Sequence, residues 1–250
     1  MGLMAQMMDK ESESNDTVLV ATNRCGYRLR HLMLSFIDIL PHSIKESKCS
    51  RVMDCLELAE MNECKYFMYL EEKKEEAYLY LGDRLGYGIQ FQLLNVHTLE
   101  ELKFNGNCIK YSRLVLSFSE DFDTPELQMA KHLISRIFEI PKMTKTKPFI
   151  DHMMHFNMCD NKIWVRHFEM KDTDTLVEIG PRMTLWPLKV FSGPCRGELV
   201  YSNPEYVSKH KMGVYERKMS KKNMGRETTN IVADAEDPNS IFKQQEGLMD

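Results

Sequence analysis

Thr17-Val-Leu-Val-Ala-Thr22, followed by apolar residues at Leu29, Leu32, Met33, Phe36, Ile37 and Leu40, decides the reading of this chain. The first string is rich in β-branched residues and reads as a strand; the second set falls at helical spacing and stops at Pro41. The order then repeats. Leu114-Val-Leu-Ser-Phe118 is again a strand, Thr124-Pro125 an N-cap with proline at the first helical position, and Leu127, Ala130, Ile134, Ile137 and Phe138 mark a helix ending before Pro141.

Each strand–helix pair is followed by further strands. In the first half a second helix is expected over 52–62, then strands over 66–70, 77–81 and 88–94, and a turn capped by Thr98 and Glu101. In the second, 153–159 and 163–168 form a hairpin turning at Asp160-Asn161, and strands follow over 176–179 and 183–191. The expected fold is α/β, with two similar halves forming two packed layers, each too small to be comfortably stable alone. The boundaries read as an acidic N-terminal tail (1–16), a folded region (17–208, halves about 17–112 and 113–208) and a C-terminal arm (209–250). The arm is polar, basic first and acidic later, and is expected to order only on a partner.

Composition narrows the class. The 250 residues are 43% hydrophobic, enough for a packed core, and no apolar run approaches a bilayer-spanning length. The reading is a soluble, intracellular protein with no membrane partner. Seven cysteines without a CxxC pair favour reduced thiols over a zinc site, so no metal or cofactor is expected. The net charge of −4 hides segregation. Segment 54–76 carries eight acidic residues against three lysines, whereas 208–222 carries six Lys/Arg against Glu216. Separated basic surfaces can bind phosphate on a mildly acidic chain.

The candidate binding residues follow that distribution. Arg24, Arg28, Arg30 and His31 surround the start of the first helix, where exposed amides could assist phosphate binding. Lys45, Lys110, Arg113, Lys142, Lys145, Lys147, Arg182, Lys209, Lys211 and Lys218 complete the RNA-binding set. No catalytic constellation is expected. His152 and His155 are three apart on a strand and point to opposite faces, so they read as core or surface histidines. The Gly82–Gly86–Gly88 segment lacks a phosphate-loop ending and reads as a hairpin loop. Trp164 and Trp186 lie in strands and read as core or interface residues rather than base-stacking platforms.

A series of strings in order then resembles the Brix domain family. Tyr27-Arg-Leu-Arg-His-Leu-Met33 with Leu40-Pro-His-Ser43 resembles its opening. Asn95-Val-His-Thr-Leu-Glu-Glu-Leu102, Gly106-Asn-Cys-Ile-Lys110 and Leu116-Ser-Phe118 resemble its middle. Lys147-Pro-Phe-Ile-Asp-His152, Ile163-Trp-Val-Arg166, Leu176-Val-Glu-Ile-Gly-Pro-Arg182 and Tyr201-Ser-Asn-Pro-Glu-Tyr-Val207 complete it. The chain departs from the pattern at Asn23-Arg-Cys-Gly26 and at Ser192-Gly-Pro-Cys-Arg-Gly197. The resemblance implies two halves, each similar to the anticodon-binding domain of class II aminoacyl-tRNA synthetases, and a nucleolar, nuclear role without catalysis. It further implies binding to large-subunit (60S) pre-rRNA, to ribosomal proteins and to assembly factors including the EBNA-binding-protein homologue. An enzyme reusing such a fold for tRNA-linked chemistry would need a separate ATP-binding domain, for which the length leaves no room.

Overall fold

The computed structural model describes residues 17–74, 76–101, 106–107, 112–140, 150–172 and 174–207. All regular elements lie in the compact unit that ends at Asn203. They run β1 (Val18–Thr22), α1 (Tyr27–Ile39), β2 (Ser43–Glu46), α2 (Val52–Met61), β3 (Tyr66–Lys73), β4 (Glu76–Asp83) and β5 (Gly88–His97). After these come β6 (Arg113–Phe118), α3 (Pro125–Phe138), β7 (Ile150–Cys159), β8 (Lys162–Met170), β9 (Leu176–Glu178), β10 (Arg182–Phe191) and β11 (Leu199–Ser202).

The strands form one sheet in the order β2-β1-β3-β4-β5-β10-β8-β7-β6, with β11 beside β10 and β9 beside β8. The duplication is visible in this order. β1 is parallel to β3, with α1, β2 and α2 between them in the chain, and β6 is parallel to β7 across α3; each pair then continues into antiparallel strands. The two series meet where β5 and β10 pair antiparallel, from Arg182 opposite His97 to Phe191 opposite Gly88. This corrects the expectation of two packed layers. The halves join edge to edge, because backbone pairing of β5 with β10 removes what would otherwise be two open strand edges.

Both long helices lie on the same face of that sheet. Leu29, Leu32, Met33 and Phe36 of α1 and Leu133, Ile134, Ile137 and Phe138 of α3 share one apolar core with Val20, Met68, Phe91, Met154, Phe156 and Leu185. Phe138 sits edge-on to Phe36 (5.9 Å between centroids) and to Phe156 (6.2 Å). Polar contacts cross the same seam: the Tyr87 hydroxyl donates to the Met129 carbonyl (2.9 Å) and His42 Nε2 to that of Ile137 (3.2 Å). One core therefore serves both halves.

The opposite face is covered unequally. Beneath β1 and β3, α2 packs Cys55, Leu56 and Ala59 on Leu19, Ala21, Phe67 and Tyr69. The 26 residues from 40 to 65 hold β2 and α2, whereas the 11 residues from 139 to 149 separate α3 from β7. Among the described residues the second half shows no counterpart of α2. Val115 and Trp164, on its outer face, are each 37% exposed.

Local signals account for most elements. Thr124 caps α3 with Pro125 in its first turn, as expected. At the β7–β8 turn, Asp160 and Asn161 take φ of 52° and 56°, the left-handed pair that a two-residue hairpin of type I′ requires. Gly82 is needed for space, since a Cβ there would lie 2.3 Å from the Phe67 ring. Two short strands escape sequence reading. β2 and β11 have four residues each, too few for alternation to register.

Candidate nucleic-acid interface

The start of α1 shows how local structure has used the basic residues. Arg24 and Arg30 are exposed and have no ion pair among the described residues. Arg28 is directed differently: its Nε donates to Glu101 Oε1 at 2.8 Å. His31 Nδ1 lies 3.1 Å from Glu100, Tyr27 donates its hydroxyl to the same carboxylate, and the Tyr27 and His31 rings meet tilted by 35°, 3.8 Å between centroids. Both acids come from the turn after β5, where Glu101 also accepts the Thr98 amide (3.3 Å). The hydrogen bond from Arg28 holds the Glu101 carboxyl below its usual range, and the bond to Glu100 raises the Tyr27 hydroxyl.

The N-cap amide at this helix start is also engaged. Gly26 N–H donates to Glu72 Oε2 at 2.5 Å, so the chain's own carboxylate sits where a phosphate was expected. The physical reason is register. β3 runs parallel to β1 and carries Glu72 to the level of the β1–α1 turn, where Asn23 and Glu72 also exchange side-chain and backbone hydrogen bonds. This corrects the idea of an open anion site at that position.

The remaining candidates are dispersed. Lys45 is exposed on the edge strand β2, and Arg113 donates to the Ile140 carbonyl (3.2 Å) on the opposite edge strand, β6. At ~4.8 Å per strand they are about 38 Å apart measured along the sheet, so they do not form one patch. Arg182 Nε is 3.3 Å from Glu178, which also receives Arg166 Nη1 at 3.2 Å. Lys110, Lys142, Lys145, Lys147, Lys209, Lys211 and Lys218 lie outside the described residues.

Sequence reading missed three cations. Lys48 and the 80% exposed side chain of Arg51 follow β2, and Arg166 lies on β8 between alternating neighbours Trp164 and Phe168. The period-two pattern of β8 placed Arg166 on the same face as Trp164, which was the available signal. Of the two readings for Trp164, core or interface, the structure removes core, since the side chain is exposed on the outer face.

The histidine reading is as expected. His152 is buried on the core face beside His167 (5.1 Å between rings), while His155, on the outer face, bonds Ser117 Oγ at 3.0 Å. Among the described residues no group of three His, Cys, Asp or Glu side chains is arranged to hold a metal ion. Cys25, Cys49, Cys55, Cys64, Cys159 and Cys195 are free thiols; Cys108 lies outside the described residues. No helix among the described residues is long and apolar enough to cross a membrane.

The strings quoted above have a counterpart in a known family. The Brix domain model matches residues 22–189, well over half of the chain. The chain belongs to the Brix family. The chain is 38% identical over 205 residues to the ribosome biogenesis protein BRX1 homolog of Xenopus laevis, covering 78% of this chain and 60% of that one. Against ribosome biogenesis protein BRX1 of Saccharomyces cerevisiae it is 37% identical over 227 residues, covering 83% and 77%. The human BRX1 homolog is 38% identical over 205 residues, with coverage of 78% and 58%. The chain thus spans about three fifths of the animal relatives' length. Among solved structures, a probable ribosomal biogenesis protein from Aeropyrum pernix is similar at 12% identity, a TM-score of 0.49 and coverage of 72% and 98%.

Proposed function

We propose that this Brix-domain chain is a non-catalytic ribosome biogenesis factor that binds pre-rRNA and partner factors during assembly of the large (60S) subunit. The observation that carries the reading is the match to the BRX1 proteins, beside a Brix domain match over 22–189 that contains both helices of the shared core. The proposed boundaries are a folded domain at 17–208, with halves about 17–112 and 113–208, between an acidic tail and an arm at 209–250. Large-subunit precursor RNA, ribosomal proteins and the EBNA-binding-protein homologue are the proposed partners, and the nucleolus of the nucleus the proposed location. Arg24, Arg30 and Lys45 are the described candidates whose charge projects to solvent, suited to positioning phosphates rather than to reading bases.

A second reading has support of its own. Glu72, Glu100, Glu101 and Glu178 already engage the α1 start, His31, Arg28, Arg166 and Arg182, which favours a scaffold that touches only proteins. Salt separates the two. If three to five phosphates are neutralised, RNA affinity falls on the order of tenfold to a hundredfold between about 50 and 200 mM salt. A binding curve indifferent to salt, or no binding to RNA at low salt, would count against the RNA reading.

A further inference from the structure

The outer face of β7 and β8 offers what the α1 start does not. At outward positions from Met153 to Phe168 these two strands present His155, Lys162, Trp164 and Arg166, and no carboxylate. Among the described residues no helix lies against this face, whereas α2 covers the outer face of β1 and β3. Trp164 stands in the middle, between Asn157 on β7 and Thr184 on β10, with 37% of its surface exposed. Arg166 lies across from His155, which lies across from Ser117, so one polar row crosses three strands beside the indole. On the other side Lys162 reaches over the Trp186 ring, 5.3 Å from its centroid. The nearest acids are at the margin: Glu178 on β9, shared between Arg166 and Arg182, and Asp160 in the turn, where Lys162 bonds its carbonyl at 3.2 Å.

An indole open to solvent on a rigid strand, flanked by cations on an otherwise acidic chain, matches single-stranded nucleic acid. Bases stack on the ring without sequence preference, and the cations follow the backbone. An amphipathic protein helix would fit less well, because the exposed apolar surface is interrupted by His155, Lys162 and Arg166.

We propose that the outer face of β7 and β8 is a stacking platform for single-stranded RNA, with Trp164 taking a base and Lys162 and His155 taking flanking phosphates, while Arg166 stays paired with Glu178. This rests on the RNA-binding reading above and assigns it a surface.

The test uses the full chain and a fluorescein-labelled, unstructured RNA of about twelve nucleotides, within the span that such platforms occupy. Trp164→Ala should raise Kd on the order of tenfold while leaving the salt slope unchanged, since stacking releases no counterions. Lys162→Gln should instead reduce the salt slope by about one. Trp164→Phe should recover most of the affinity. A Trp186→Phe chain, in which Trp164 is the remaining indole, should lose fluorescence on titration with the RNA, a readout that needs no change at Trp164 itself. If Trp164→Ala binds as tightly as the parent while a combined Arg24→Ala, Arg30→Ala chain binds weakly, the platform is overturned and RNA binding stands. If the parent binds no RNA, both fall. Unquenched Trp164 fluorescence in the saturated complex also overturns the platform, as does normal RNA affinity in a Trp164→Ala chain that has lost a protein partner.

Discussion

Phe138→Ala is expected to destabilise the chain by about 3–5 kcal/mol, the range for deleting a buried aromatic side chain and leaving its cavity. Phe138 is 4% exposed, ends α3, and touches Phe36 from the first half and Phe156 from the second. The cost should therefore fall on both halves together. Chemical denaturation of the variant, followed by indole fluorescence from the second half and by far-ultraviolet circular dichroism from the whole, should give coincident transitions at a lower midpoint. Two separated transitions, with the first-half signal at its original midpoint, would show that the halves are independent and that the seam is not a shared core.

The second large effect concerns acid. Burial pushes His167 down to about 4, opposed by the bond from its Nδ1–H to the Gly180 carbonyl (2.6 Å). Burial also lowers His152, with Asp151, 3.6 Å away, acting in the opposite sense. A histidine whose folded pKa lies below its unfolded value is held neutral, so its contribution is present above ~6.5 and lost as pH falls toward the folded pKa. Over that window each unit of pH costs about 1.4 kcal/mol per group. From pH 7 to pH 5 His167 alone should remove about 2 kcal/mol, visible as a fall in urea midpoint. His167→Asn, which keeps a donor toward Gly180, should flatten the dependence. An urea midpoint unchanged across this range would mean that His167 is solvated or already charged in the folded state.

Much of the fold was legible because its signals are local. The helical spacing of Leu29 to Leu40, the proline after Thr124 and the Asp160-Asn161 turn each act within a few residues, and each element stands where expected. The pairing of β5 with β10 was not legible. Apolar alternation at Ile89, Phe91, Leu93 and at Met183, Leu185 says that each strand has a buried face, but not which strand lies beside it. The candidate site was harder still. Arg28 and His31 look like free cations in the sequence because their acids, Glu100 and Glu101, are some seventy residues away and arrive only through the turn after β5. Trp164 reads as core or interface because the alternation of β8 gives it a face but not what covers that face; among the described residues no helix does.

The measurement that bears most directly on the central claim is crosslinking of this protein to RNA in growing cells, with sequencing of the attached fragments. The reading predicts fragments concentrated in large-subunit precursor rRNA, with crosslinked peptides from the Brix domain. Crosslinks at background, or spread over messenger and transfer RNA with no excess in that precursor, would contradict it.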